Sequence, residues 1–404
     1  MKKRPALVLI LILSIAFSPP NKAFAQDDGI KTSSTIDYGS SIRLAVFATS
    51  GSSILRAAVF LRTDTSGTTR VEYAVSDPQD PAAAAISLDP ASIGLSAFDT
   101  LYYRWQVDLE SGEVIQTEEH QLEYLDDRFD WERLEAGMIK IIWHDRDLQD
   151  AQDALETAHA AIDTIAQSYT LYPSRPITVV LYNNSRELQS ALELEGATWV
   201  GGTSRPGTGV MLISAPPGPE GLIELERLIP HEMAHLLLGQ SSGNNVPLFP
   251  AWLAEGMATL IEGAPPPVRR EALSAAAKEK TLIPLSDLCA AFPASEQQAV
   301  LAYAESASFV RYLLDIYGEG GLSLLLDAYR EGTSCEGGVA RVYQRSLSQL
   351  EAEWRTSIGA ASFSSAWLWF IVPGAVCVFS GLLILRRRWR NRAAYPGQEQ
   401  NHDD

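Results

Sequence analysis

The stretch LIPHEMAHLLLGQ (residues 228–240) sets His231 and His235 four positions apart, with Glu232 directly after the first. Pro230 argues against a strand, and the apolar residues recurring through 223–238 fit a helix that bends near that proline. Positions i and i+4 of a helix lie one above the other on the same face, so the two imidazoles can converge on one cation. Zinc suits them, because neutral imidazole nitrogen binds it at about 2.0–2.1 Å and the ion imposes no geometry of its own. Glu232 points about a third of a turn away. It can reach a water at the metal without coordinating it, which is the general-base position of H-E-x-x-H. The competing reading is a buried helix that carries two core histidines, although a chain with six histidines rarely places two of them four apart around a glutamate.

Two ligands are too few, since catalytic zinc normally has three protein ligands and one open position. A third histidine on the same segment would need glycine at 238 and histidine at 241, where the chain has Leu238 and Ser241. The remaining candidate is a carboxylate on the next helix. PAWLAEGMATL (residues 250–260) reads as that helix, with Glu255 its one acid among apolar and small residues. An acid on such a face needs a partner, because burying it unpaired is costly, and zinc supplies one. Taken alone, Glu255 reads equally well as a helix-start acid interacting with the dipole.

Around these two helices, 404 residues allow two or three domains, and 46% hydrophobic residues with 9% aromatics are enough to build real cores. A net charge of −18 speaks against nucleic acid as a partner and for solubility. Residues 1–25 read as an export signal: Lys2, Lys3 and Arg4, an apolar run, then Ala23-Phe24-Ala25 as a small-x-small cleavage site before Gln26. An uncleaved N-terminal anchor is the alternative. A second apolar run, residues 366–385, holds 20 residues without a charge, the length a helix needs to cross the bilayer core. Trp367 and Trp369 sit at its outer edge, and Arg386, Arg387, Arg388, Arg390 and Arg392 follow at once. A single transmembrane helix over 364–385 is therefore expected, with residues 26 to about 363 outside the cytoplasm and the basic tail 386–404 inside it. Cys377 falls in that run. Cys289 and Cys335 lie in the outward part, where a bridge would contribute roughly 3–4 kcal/mol, but the sequence does not show that they meet.

Residues 26–126 alternate apolar and polar positions in short runs such as SIRLAVFA and RAAVFLRT, separated by turn residues. That is the pattern of an antiparallel β-sandwich of immunoglobulin-like or fibronectin-like kind. DLESGEVIQT reads as a hairpin turning at Ser111-Gly112. From about 127 the pattern changes to α+β: strands at MIKIIWHD, PITVVLY and TGVMLIS, and helices at 147–170 and SRELQSALEL. After Pro217 it is mostly helical, with helices expected at 219–239, 250–262, 267–279, 296–317, 320–331 and 337–358. Asn183-Asn184-Ser185 fits a glycosylation sequon. His144 and His159 have no ligand-like neighbours in sequence and read as surface or structural residues.

PHEMAH followed by PAWLAEGMA resembles the Peptidase MA-like metallohydrolases, a branch of the gluzincins, with H-E-x-x-H, a variable loop and then W-L-x-E-G-x-A. The resemblance covers roughly 126–358 and implies a zincin-type metallopeptidase domain over 127–360, one zinc ion on His231, His235 and Glu255, and Glu232 as general base. It also implies that Tyr303, in AYAESASFVRYLLDIYG, steadies the oxyanion of the reaction, although Ser306 stands where the related aminopeptidases have glycine. The competing reading of Tyr303 is one more core aromatic beside Phe309, Tyr312 and Tyr317. The aminopeptidases' Gly-x-Met-Glu-Asn strand has no counterpart; GVMLIS stands in its place, and its backbone could pair with an extended peptide, which favours internal cleavage. Thr259 replaces the aspartate that supports the site in thermolysin-like relatives. The expected function is a membrane-anchored, outward-facing zinc metallopeptidase acting on peptides or proteins. The alternative is a non-catalytic surface binding or structural protein that keeps the scaffold.

Overall fold

The computed structural model describes residues 23–361 apart from 28, 50, 64–67, 193–200, 244–248 and 294. The run 366–385, the tail 386–404 and residues 1–22 lie outside the described residues. Among those described, no helix is long and apolar enough to cross a membrane.

The N-terminal β-rich region is a pair of sheets. One has the order β1-β2-β3-β7-β6, from β1 (Ala23–Asp27), β2 (Ile30–Asp37), β3 (Ser41–Ala48), β6 (Val75–Ser76) and β7 (Ala83–Leu88). The other has the order β10-β8-β4-β5, from β4 (Ile54–Thr63), β5 (Arg70–Tyr73), β8 (Thr100–Leu109) and β10 (His120–Glu123), with β9 (Val114–Gln116) also paired to β8. In β8 every second residue, Leu101, Tyr103, Trp105, Val107 and Leu109, is buried. This is the period-two pattern of a strand with one face on a core. The hairpin at Ser111-Gly112 forms, with Gly112 in the left-handed region. Ala23, Phe24 and Ala25 are strand residues paired with Ser34, Ser33 and Thr32, so the cleavage point expected before Gln26 falls inside β1.

A third sheet follows in the order β11-β12-β13-β15-β14. β11 (Glu132–Ala136) pairs antiparallel with β12 (Ile139–Trp143). β12, β13 (Ile177–Tyr182) and β15 (Val210–Ser214) run parallel, and β14 (Gly202–Arg205) closes the edge antiparallel to β15. One face of this sheet, with Ile141, Trp143, Val179, Leu181, Met211 and Ile213, packs on α1 (Leu148–Tyr169) and α3 (Pro219–Ser241). The opposite face, with Ile142, Val180, Tyr182 and Leu212, is covered by α2 (Ser185–Ala191) and by Ala97 and Phe98 from the sandwich. Phe98 has φ 65° and stacks edge-on against Trp131 at 5.1 Å. A bulky residue held there marks a contact that over-determines its backbone. With both faces covered and both edges paired, β15 cannot offer itself to a peptide. The expectation for GVMLIS is corrected: among the described residues, the edge without a neighbouring strand on this side belongs to β14.

The rest is helical: α4 (Ala251–Ile261), α5 (Pro267–Glu279), α6 (Glu296–Arg330), α7 (Cys335–Tyr343) and α8 (Leu347–Ala361). α6 kinks at Gly318, which has φ 68°, as the break expected between 317 and 320 requires. The single helix expected over 337–358 is instead two, because Gln344 adopts a left-handed conformation that ends α7. Cys289 and Cys335 form a disulfide with Cα atoms 5.9 Å apart. The bridge fixes the turn that caps α4, where the Cys289 and Leu288 carbonyls accept from the N–H groups of Ala251 and Trp252.

α4 lies unusually close to α6. A Cβ added to Gly256 would fall 2.6 Å from the Ser306 carbonyl oxygen and 2.6 Å from Val310 Cγ2. Alanine is ordinarily the better helix former. Here Gly256→Ala should instead lower the unfolding free energy by roughly 1–3 kcal/mol through overpacking. A chemical-denaturation midpoint equal to wild type would show that the two helices separate freely.

Candidate active site

Three side chains from two helices meet under β14. His231 and His235 face each other across one turn of α3, their Nε2 atoms 3.2 Å apart, and Glu255 Oε2 from α4 lies 3.2 Å from His235 Nε2 and 3.5 Å from His231 Nε2. Two imidazole nitrogens and a carboxylate oxygen thus converge within hydrogen-bond distance of a shared point. Four donors about 2.0–2.1 Å from a tetrahedral zinc ion would stand about 3.3 Å from one another, so the spacing and the donor chemistry both fit that metal. Among the described residues this is the one group of three such donors, all within 4.8 Å of one another.

The helix keeps this geometry despite Pro230. The proline cannot donate to the preceding turn, yet α3 runs through it with His231 and Glu232 both buried. α4 is anchored by Trp252, fully buried with its ring 5.1 Å from Phe309, and by the Tyr169 hydroxyl, which donates to the Met257 carbonyl at 3.2 Å. Glu232 sits beneath the edge strand. A Cβ on Gly202 would fall 2.9 Å from Glu232 Cγ, so a side chain there would displace the carboxylate that β14 passes over. These residues line a cavity of about 410 Å³, together with Tyr303, Arg227 and Arg269. The Tyr303 ring lies 6.1 Å from that of His231 and 4.9 Å from that of Phe292.

Sequence reasoning missed Glu262. It lies two turns past Glu255, so it returns to the same side of α4 as the ligand, and that spacing could have exposed it. Glu262 Oε1 lies 2.7 Å from His231 Nδ1, and Oε2 accepts from Arg269 at 2.7 Å. It occupies the supporting role left open by Thr259, whose own hydroxyl is buried without a partner. Burial alone would push the His231 imidazole down, but hydrogen bonds to Glu255 and Glu262 carry it up to about 10. Burial would raise the Glu255 carboxyl, yet the charge of His235 and the hydrogen bonds of both histidines hold it well below the usual range. Tyr303 is pushed up by burial and by the charges of Glu255 and Glu232, so its hydroxyl keeps its proton.

His144 takes the structural of the two roles its sequence allowed. It is buried between Asp145 and Glu187, 3.2 Å from each, and stacked on Phe129. Sequence distance hid this neighbourhood, since Glu187 comes from α2. Asn183 of the expected sequon is engaged by Arg146 and donates to the His144 carbonyl, which occupies the amide that a glycan would need.

The sequence profile of the Peptidase MA superfamily matches residues 157–360, half of the chain and all of the site described above. Comparison with curated proteins finds no match. Among solved structures, the M1 zinc metallopeptidase of Deinococcus radiodurans is similar at 14% identity, covering 82% of this chain and 89% of that one, with TM-score 0.34. Aminopeptidase A of Legionella pneumophila is similar at 13% identity with TM-score 0.36, and the chain, 80% covered, spans 47% of that protein's length. Likenesses this distant carry no argument about activity.

Glu305 of α6 is fully buried, with Oε1 accepting from the Ile283 N–H at 3.0 Å and Oε2 unpartnered. Burial raises its carboxyl from 4.5 to about 7, with Arg355 opposing and Glu351 assisting. A raised acid binds its proton in the folded state while the unfolded chain has lost it. Stability from this group is therefore complete below pH 4.5 and is lost as pH climbs through about 7. Glu305→Gln should remove that loss and stabilise the protein above pH 7 by up to about 3 kcal/mol. Parallel stability–pH curves for the two proteins between pH 5 and 8 would refute it.

Proposed function

Because the chain belongs to the Peptidase MA superfamily, we propose that it is a zinc-dependent metallopeptidase cutting peptide bonds in the cleft between β14 and the α3–α4 pair. The observation that carries this reading is the convergence of His231, His235 and Glu255, with the carboxylate of Glu232 beside them beneath Gly202. In this reading those three residues hold the ion, which when bound polarises the scissile carbonyl and brings the pKa of an attacking water toward about 7. Glu232 takes the proton from the water as it attacks and hands it to the leaving amine. Glu262 accepts from His231 Nδ1–H, which fixes the tautomer and aims Nε2 at the metal. The Tyr303 hydroxyl donates to the oxygen on which charge develops.

The edge of β14, which no other described strand pairs with, can take an extended substrate backbone, the usual way an exposed strand takes a peptide. Its residues at the cavity, Gly202, Thr203 and Ser204, bring no carboxylate to hold a free amino terminus. This supports internal cleavage over aminopeptidase action. The apolar run 366–385 and the arginines after it support a membrane anchor with the catalytic part facing outward, a reading that rests on sequence.

Glu232→Gln is expected to keep stoichiometric zinc and an unchanged melting temperature while losing about 10²–10⁴ in kcat. Glu262→Gln should weaken zinc about 10- to 100-fold in chelator competition, with hydrolysis recovering at saturating zinc. A purified protein without stoichiometric zinc, or a Glu232→Gln variant that still hydrolyses peptides, would overturn the proposal.

A further inference from the structure

Two guanidinium groups stand in the cleft where the proposed chemistry has no use for them. Arg227 lies one turn before His231 on α3, and Arg269 comes from α5 with its guanidinium 5.1 Å from the centre of the Tyr303 ring. Of the three cavity carboxylates, Glu255 is engaged by the two histidines and Glu232 is reserved for proton transfer. Glu262 alone faces both arginines, at 2.7 Å from Arg269 and 3.9 Å from Arg227, while also serving His231. The remaining partner of Arg227 is Glu224, an (i, i+3) neighbour whose side chain is 45% exposed. Such a surface pair holds little energy and is readily exchanged. Arg269 is only 11% exposed, a setting in which guanidinium binds carboxylate strongly and in a forked geometry.

The edge strand places these groups relative to the bond that is cut. Gly202 lies over Glu232 and Gly201 over Leu228, where an added Cβ would come within 3.0 Å of Leu228 Cδ2. A peptide adding antiparallel to β14 runs its C-terminal direction toward the start of that strand. The residue after the scissile bond then stands over Leu228, next to Arg227.

Resting on the metallopeptidase reading for which bond is cut, we propose that Arg227 and Arg269 form a carboxylate-binding subsite, so that the enzyme selects substrates with a carboxylate on the residue that follows the scissile bond. Two sources offer this chemistry, an Asp or Glu side chain and the free C-terminus of a chain ending at that residue.

The test digests a randomised peptide library with the zinc-loaded protein and sequences the new amino termini. Asp and Glu should be enriched there over Asn and Gln by roughly ten- to a hundredfold, the effect of a charged hydrogen bond. Matched peptides ending at that residue as free acid or as amide separate the two sources: a preference for the acid form assigns the chain terminus, and indifference to it with the Asp/Glu enrichment assigns the side chain. Arg227→Gln should lose most of the preference, and Arg227→Glu should shift it toward Lys and Arg, with melting curves showing that both variants fold. Cleavage with neither the Asp/Glu enrichment nor the free-acid preference, or with the acid enriched before the bond, overturns the subsite while leaving the peptidase reading intact. Failure to cleave any library member overturns the peptidase reading. The subsite is then decided by fluorescence anisotropy with two dye-labelled pentapeptides differing only as Glu against Gln, where equal affinity overturns it.

Discussion

The contact of α4 with α6 at Gly256 is the constraint on which the site depends. A helix pair separated by ordinary side chains would hold Glu255 and Tyr303 farther apart, but here the α4 backbone rests against the Ser306 carbonyl and Val310. The residue after the acid has no side chain because α6 occupies the space. Trp252 on the adjoining turn fills the gap on the other side, against Phe309, which itself packs on Trp354. The disulfide then ties α7 to the turn that caps α4, closing a loop whose ends are 46 residues apart and contributing about 4 kcal/mol in the chain-entropy account. Large buried aromatics and one missing side chain thus decide where a single carboxylate sits.

Charge is organised around that carboxylate in layers. The two histidines and Glu255 converge on one point, Glu262 holds His231 from behind, and Arg269 neutralises Glu262. His231, Glu255 and Glu262 each have an opposite charge beside them, as the cost of burying charges alone demands. Arg227 is the more loosely held of the two cleft arginines, its partners being the 45%-exposed Glu224 and Glu262 at 3.9 Å.

The β-rich region reaches the cleft through β14. Arg205 at the end of that strand pairs with Asp99 at 3.1 Å and donates to the Ala97 carbonyl, both from the loop that carries Phe98. Gly202, three residues earlier, passes over Glu232. The sandwich loop therefore holds one end of the strand whose other end covers the general-base candidate.

Period-two alternation in 26–126 and the helical spacing around His231 made the β-rich region, most helices and the histidine pair legible in the sequence, because each depends on residues a turn or a pleat apart, while Glu255 stood out as the one acid of the next apolar helix. Local periodicity could not show that Gln344 would break the last helix, since a left-handed residue at a helix end is selected by how the next helix packs. It also could not show that β14, too short and polar to read as a strand, takes the sheet edge and leaves β15 inside. The two cysteines became a bridge, His144 gained Glu187, and His231 gained Glu262 through contacts between elements far apart in the chain. The sequence by itself determined which side chains could bind a metal and move a proton, because that chemistry resides in the residue types and their helical spacing. Tertiary structure alone decided what surrounds them, including the Glu262 support, the edge-strand glycine over Glu232 and the two arginines in the cleft, because those neighbours meet only when separate helices and a sheet edge pack together.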